Sequence, residues 1–305
     1  MLNERLTRIL SLAGRICIGL LLTYAIVFSI AGTVFLVVAY KTVVQPVRDV
    51  QYLVLHNPTE TVFMKQLRRE MREKGKPETL YQVFVPDDSI SKNLKLAVIA
   101  AEDDGFYTHP GFDLEAMLSA YQYNRQHNRI ARGASTITQQ LAKNLFLTNE
   151  KSFMRKFKEL GYTLLLEKFL GKERILELYL NYAQWGDSIF GCEAAARCYF
   201  KKSCAHLTFN EATRLAATLV SPERLNPLNP KNVFLQKRIE VIANNLFLKH
   251  VIDDSAFLQM CGKPPPRDTL ADSLAVQKNT TLPPSAKFIA KTPYSGISTK
   301  RGHRY

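Results

Sequence analysis

The chain is short of acid, of cysteine pairs and of long apolar runs, and each shortage excludes something. Acidic residues number 27 against 41 lysines and arginines, a formal excess of +14. An excess of that size calls for an anionic partner: nucleic acid, anionic lipid or a phosphorylated substrate. Five cysteines occur without any C-x-x-C, which argues against a zinc or thioredoxin-like centre. Cys192, Cys198 and Cys204 recur at six-residue spacing, Cys17 lies in an apolar run and Cys261 stands alone. Cys198 and Cys204 are spaced to close a short loop, but buried free thiols are the simpler account. No internal repeat is visible.

One stretch alone is long and apolar enough to span a bilayer. Residues 16–40 run for 25 positions without a charge. At ~1.5 Å per residue this exceeds the ~30 Å hydrocarbon core. Arg5, Arg8 and Arg15 precede it, which predicts residues 1–15 in the cytoplasm and the remainder outside. Val37-Val38-Ala39 resembles a cleavage site, yet signal-peptide apolar regions run only ~7–15 residues. A retained anchor is expected, and an external domain disfavours nucleic acid as partner.

Beyond the anchor, Pro46 and Pro58 mark residues 41–58 as a juxtamembrane linker. Phe63, Leu67 and Met71 predict an amphipathic helix closed by Gly75 and Pro77. Tyr81 to Val85 reads as a short strand. From about residue 91 to 260 the signals are helical, and the class is mainly α. Ser91 and Asp113 are helix openers, and Thr136 with Gln139 forms a capping box. Ser152 precedes an apolar stripe at Phe153, Phe157, Leu160 and Leu164. Ile175, Leu178, Tyr179 and Tyr182 repeat that pattern, and Thr208 with Glu211 makes a second capping box. Asn229-Pro230 predicts a helix start running to about His250. Residues 261–305 are rich in proline and basic residues and read as a disordered tail attracted to anionic headgroups.

Three segments carry chemistry. Glu102 ends the apolar run Ala97 to Ala101. A carboxylate at a helix C-terminus in apolar surroundings has its pKa raised toward acid or base duty; an exposed acidic turn is the bland alternative. Glu159 follows Arg155 and Lys156 by four and three residues, on one helix face. The basic-before-acidic order is the weaker one for a surface ion pair. With Lys143, Lys151, Lys158 and Lys168 it forms a basic cluster suited to a diphosphate. The third segment, Arg132 to Gln140, is polar and glycine-containing at a helix start, a place where exposed N–H groups attract anions. An ordinary capped turn is the alternative.

Taken in order, these segments resemble glycosyltransferase family 51. Ala97 to Asp103 with Phe106, His109, Gly111 and Asp113 resembles its first motif. Arg132 to Leu147 is similar to the second, Arg155-Lys156 with Glu159 to the third, and Glu173 to Asn181 to the fourth. Ala212 to Pro222 resembles its closing alanine-rich helix. Residues 85–230 carry the likeness, which is nearest to the monofunctional biosynthetic transglycosylases. Ala134 replaces a glycine common there, and Cys192 and Cys198 are not part of the pattern.

The resemblance implies a lysozyme-like helical domain over residues 85–260, preceded by a linker and helix at 41–84, with a small membrane-facing jaw near 106–135. It implies polymerisation of lipid II into β-1,4-linked glycan with release of undecaprenyl diphosphate, and sensitivity to moenomycin. Glu102 would be the base, and Glu159 would assist diphosphate departure. Lys143, Arg155, Lys158, Gln140, Ser135, Thr136, Asp103 and His109 would bind substrate. No cofactor is required, though a divalent cation (Mg or Mn) bridging Glu159 and the diphosphate is admitted. Expected partners are lipid II, the glycan chain, the membrane and other cell-wall or division proteins. The alternatives are a lysozyme-like glycan hydrolase and a non-catalytic scaffold. Ser89-x-x-Lys92 mimics a transpeptidase motif, but Lys291-Thr292-Pro293 lacks the glycine of K-T-G. No transpeptidase activity is expected.

Overall fold

The computed structural model describes residues 2–127, 133–149 and 152–266. Among these the chain is mainly helical, as expected, with twelve α-helices and one small sheet. Helix α1 (Leu2–Ala39) passes through a π-helical turn at Tyr40–Val44 into α2 (Gln45–Tyr52). Among the described residues this is the one segment long and apolar enough to cross a membrane. The sequence predicted a linker from residue 41 broken at Pro46; the helix instead continues to Tyr52. Proline breaks a helix through its missing N–H and its clash with the carbonyl four residues back. Here Pro46 falls in the first turn of α2, directly after the wider turn, where the missing donor costs least.

Helix α3 (Val62–Glu73) is capped by Thr61, whose hydroxyl accepts from the Met64 N–H. Strand β1 (Tyr81–Gln82) is shorter than the predicted 81–85. Helix α4 (Lys92–Glu102) opens at Ser91 and α5 (Leu114–Gln126) at Asp113, as their capping residues predict. Helix α6 (Ile137–Phe146) carries the complete Thr136–Gln139 capping box. Helices α7 (Phe153–Phe169) and α8 (Lys172–Tyr182) follow. Strands β2 (Gln184–Gly186) and β3 (Ile189–Phe190) form a hairpin, and β1 pairs parallel to β3, giving the order β1-β3-β2. This hairpin left no sequence signal: its strands are two or three residues long and its turn uses Ser188, at φ 59°, in place of glycine.

Helices α9 (Cys192–Phe200), α10 (Phe209–Thr218), α11 (Val233–Leu248) and α12 (Asp254–Cys261) complete the described chain. The predicted start of α11 at Asn229 is three residues early. Asn229 accepts from the Lys231 N–H in a local turn, while Asn232 caps the helix by accepting from Leu235. The two asparagines offer the same acceptor, and the turn takes the first. Most of the predicted tail lies outside the described residues.

The core has two centres. Buried Leu94, Ala97, Val98 and Ala100 of α4 pack against α10 and α11. Helix α6 packs between α7 and α8. The predicted stripe on α7 does not enter this core. Phe153 is 99% exposed and Phe157 75%, while the buried positions of α7 are Glu159, Thr163 and Leu166. Helix α5 likewise buries only Ala120 and leaves Leu114, Leu118 and Tyr121 open.

Gly111 joins the segment before α5 to α7. At φ +92° it lies where side chains are strained, and an added Cβ would meet Glu167 Cγ at 2.7 Å and Thr163 Cγ2 at 2.8 Å. Its carbonyl also accepts the Thr136 hydroxyl at 2.6 Å. Gly111→Ala should therefore lower stability by about 2–4 kcal/mol in urea unfolding; an unchanged midpoint would show that the contact relaxes freely.

Candidate active site

Helix α4 is apolar until its last residue, so the packing that buries Ala97 to Ala100 carries Glu102 to the edge of the core. The Glu102 side chain is 12% exposed. Its carboxylate accepts from Gln140 Nε2 at 2.9 Å and from an Arg238 guanidinium N–H at 3.3 Å. Burial raises its pKa above the ordinary carboxylate value, and neighbouring Asp103 adds to the rise; Gln140 and Arg238 oppose it. The direction matches the sequence expectation, with burial as the leading cause.

Gln140 is fixed from both ends. Its amide oxygen accepts the Tyr179 hydroxyl at 2.9 Å, so its N–H group must face Glu102. Tyr179 is fully enclosed, and burial pushes its pKa well up, followed by the charges of Glu102 and Asp103. It remains a hydroxyl donor.

Asp103 and His109 form a brace. His109 Nε2 lies 2.7 Å from Asp103 Oδ1, and His109 Nδ1 accepts from the Gly111 N–H at 3.1 Å. This assigns the proton to Nε2. The other Asp103 oxygen accepts from the Ile137 N–H at 2.9 Å, at the first residue of α6. Thr136 is also buried, capping α6 and donating to Gly111. Ser135 is exposed beside Gln140. Arg132 lies outside the described residues.

A second charged centre sits one turn along α6. Glu159 is 4% exposed, so it is no surface ion pair. It accepts from Arg155 at 3.2 Å and from Lys156 Nζ. Lys143 of α6 faces the same group. Burial lowers its pKa first; Glu159 opposes that, and Arg155 and Lys156 lower it further. Two cations thus bond one carboxylate and Lys143 lies within its field, and Arg155 Nε is buried without a hydrogen-bond partner among the described residues. Excess positive charge and an orphan donor suit an incoming polyanion.

The predicted basic cluster divides here. Lys158 and Lys168 do not face Glu159; they line an apolar groove of about 550 Å³ with Lys41, Val47 and Phe157, beside the membrane helix. Lys151 lies outside the described residues. Conversely, Gln140 and Lys143 lie three residues apart, about 4.5 Å along the α6 axis and on one face. One helix therefore addresses both glutamates.

Tyr179 and Arg238 were not legible as site residues. Tyr179 sits within the apolar stripe of α8 and reads as core. Arg238 lies on α11, in none of the motifs, and no local pattern marks it. In the transpeptidase-like pair the Ser89 hydroxyl donates to Asp88 at 3.1 Å.

A family model described as Transglycosylase matches residues 69–246, over half of the chain. The chain belongs to the transglycosylase family. A Thiobacillus denitrificans relative named Biosynthetic peptidoglycan transglycosylase is 43% identical over 214 residues, 68% of this chain and 91% of that one. A Cupriavidus metallidurans relative of the same name is 49% identical over 168 residues, 55% and 72% of the two chains. A crystal structure of Penicillin-Binding Protein 1A from Haemophilus influenzae aligns with 65% of this chain and 21% of that one, at 18% identity and TM-score 0.34, too distant to carry an argument.

For this transglycosylase the raised Glu102 pKa gives a test. Removing Arg238, which holds the carboxyl down, should move it further up. An NMR titration of Glu102 should show a midpoint above the ordinary 4.5, and a higher one in Arg238→Gln. The folded group keeps its proton to higher pH than the unfolded one, so its contribution to stability is lost as pH rises through the folded pKa. A midpoint unmoved by Arg238→Gln would contradict the assigned contact.

Proposed function

We propose that this chain polymerises lipid-linked disaccharide into β-1,4 glycan, using Glu102 as base and the Lys143–Arg155–Lys156 cluster to receive the leaving diphosphate. The observation that carries this reading is the placement of a buried carboxylate of raised proton affinity and a surplus of cations along one face of α6. The 4-hydroxyl of an acceptor sugar would give its proton to Glu102 while its oxygen bonds to the anomeric carbon of the donor chain. The bond from that carbon to the α-linked diphosphate breaks, and its electron pair leaves with the diphosphate. Attack opposite the leaving group inverts the centre to β. Lys143 and Arg155 would meet the growing phosphate charge, an effect that for one such donor is worth roughly 3 kcal/mol. Glu159 holds Arg155 and Lys156 in place.

Asp103 and His109 then act as positioning residues, since their polar atoms are engaged by the protein. Thr136 belongs with them, while exposed Ser135 is free to meet substrate. Lys158 is assigned to the groove beside the membrane helix. A protein-held divalent cation fits poorly: Glu159 already accepts from two cations, and no group of three metal-ligating side chains occurs among the described residues. No step is routed through a metal. A hydrolase releasing a neutral sugar would have no use for the cation surplus.

The substrate's lipid tail places the work at a membrane. Phe153, Met154, Phe157 and Leu164 of α7, with Leu114 and Leu118 of α5, are exposed. Covering each such side chain is worth about 1.5–3 kcal/mol. A bilayer reached by the anchor would cover them, and this extends the expected jaw to include α7. Arg5, Arg8 and Arg15 before the span support an inside N-terminus and an outside domain.

Glu102→Gln should reduce polymer formation from purified lipid-linked disaccharide by at least ~10³-fold, with substrate binding retained. Near-normal turnover by the folded variant would remove Glu102 as the base. Lys143→Ala and Arg155→Ala should weaken a diphosphate-bearing analogue ~10-fold or more while leaving a diphosphate-free glycan almost unchanged. Equal losses for both ligands would overturn the division of roles.

A further inference from the structure

Two cysteines that the catalytic site does not use meet inside the fold. Cys192 opens α9, and Cys204 begins a short 3₁₀ turn at Cys204–His206. Both are fully buried, and their Sγ atoms lie 3.8 Å apart. Cys198, the partner suggested by loop length, is half-exposed and takes no part in this contact. Helical geometry explains the choice. Cys192 and Cys198 are six residues apart on α9, so their side chains point to different faces, and the returning chain meets only the inner one.

The return is held by a clamp that owes nothing to sulfur. Glu193, 2% exposed, accepts from the Cys204 N–H at 2.7 Å, from the Ser203 hydroxyl at 3.0 Å and from Arg197 at 2.7 Å. Burial pushes the Glu193 pKa up, but these donors hold it below its ordinary value. The anion therefore pins the backbone of residue 204 one residue away from Cys192. The segment 192–204 is brought together before any covalent bond is needed.

We propose that Cys192 and Cys204 are joined by a disulfide in the protein that reaches the outer side of the membrane. The proposal rests on the outward orientation inferred above. Closing the gap to the ~2.0 Å of a disulfide asks each sulfur to move by only about 1 Å. The oxidant is an external disulfide, protein or glutathione. One cysteine thiolate displaces one thiol from it and forms a mixed disulfide. The second cysteine thiolate attacks that bond, forms the Sγ–Sγ link and releases the second thiol. Two electrons pass to the oxidant, and its two released sulfurs take the two protons. Once the domain is closed, the Cys192 contact and burial keep the Cys204 thiol protonated, and neither sulfur is reachable. The bond therefore forms while the chain folds, and afterwards it resists reductants.

The test uses the full chain in membranes from cells, with thiols blocked by iodoacetamide under denaturing, non-reducing conditions. Peptide mass spectrometry should find residues 192 and 204 cross-linked, with Cys17, Cys198 and Cys261 alkylated. Full-length Cys198→Ala should keep the link, and Cys204→Ala should lose it. Denaturant-exposed reduction should lower the melting temperature of the refolded protein by roughly 5 °C or more, and this effect should vanish in Cys192→Ala. A parallel sample is refolded in a glutathione redox buffer, where orientation plays no part. Free thiols at both positions in both samples, or a link made through Cys198, would overturn the proposal. A link in the refolded sample alone would keep the pairing and overturn the outward orientation.

Discussion

Asp103, almost sealed from water, ties the end of α4 to the start of α6. One oxygen takes the Ile137 N–H and the other takes the His109 ring. An anion at a helix N-terminus satisfies a donor that has no partner within the helix and lies at the positive end of its dipole. A buried charge-assisted hydrogen bond of this kind is worth on the order of 1.5–3 kcal/mol. Its larger effect is positional. Glu102 precedes Asp103 in the chain, and Gln140 follows Ile137 by three residues, so anchoring Asp103 sets the height at which Gln140 meets Glu102. Lys143, one turn further on the same face, is set against Glu159 by the same contact. The two charged centres therefore share a single register.

That register explains why polar residues crowd the interior of this domain. Thr136, Gln139, Glu159, Thr163 and Asn181 are all buried. Each has a partner: the capping box uses the first two, Glu159 accepts from Arg155, the Thr163 hydroxyl donates to the Glu159 carbonyl, and Asn181 accepts from the Val85 N–H and donates to the Val85 carbonyl. Partnered in this way, buried polar groups fix geometry at little net cost in stability, whereas orphaned ones would destabilise the fold. The two orphans among the described residues, Arg155 Nε and Arg238 Nε, belong to the guanidinium groups beside the two glutamates. Among the described residues, the buried side-chain atoms left without a partner thus lie beside the glutamates for which a substrate role is proposed.

The sequence was most legible where structure is local. Ser91, Asp113, Thr136, Ser152 and Thr208 each cap the helix they were expected to open, because capping is decided within four residues. Glu102, Gln140, Lys143, Arg155 and Glu159 were singled out together through the order of their motifs, and the structure brings Gln140 to Glu102 and Arg155 to Glu159. What escaped depends on distant chain. Arg238 reaches Glu102 across 136 residues, and nothing nearby in sequence records that contact. Tyr179 looked like core because its ring is core and only its hydroxyl reaches Gln140. The apolar stripe on α7 was correctly periodic, but periodicity does not say whether the apolar face meets protein or lipid. Lys158 differs from Glu159 by one residue and so by about 100° of helix, enough to send it to a different groove.

The most direct measurement is a structure of the chain bound to a non-hydrolysable lipid-diphosphate sugar donor. The account predicts diphosphate oxygens within hydrogen-bond reach, about 3 Å, of Lys143 and Arg155, with the acceptor hydroxyl position a similar distance from Glu102. A diphosphate seated instead on Lys158 and Lys168, in the groove beside the membrane helix, would contradict it.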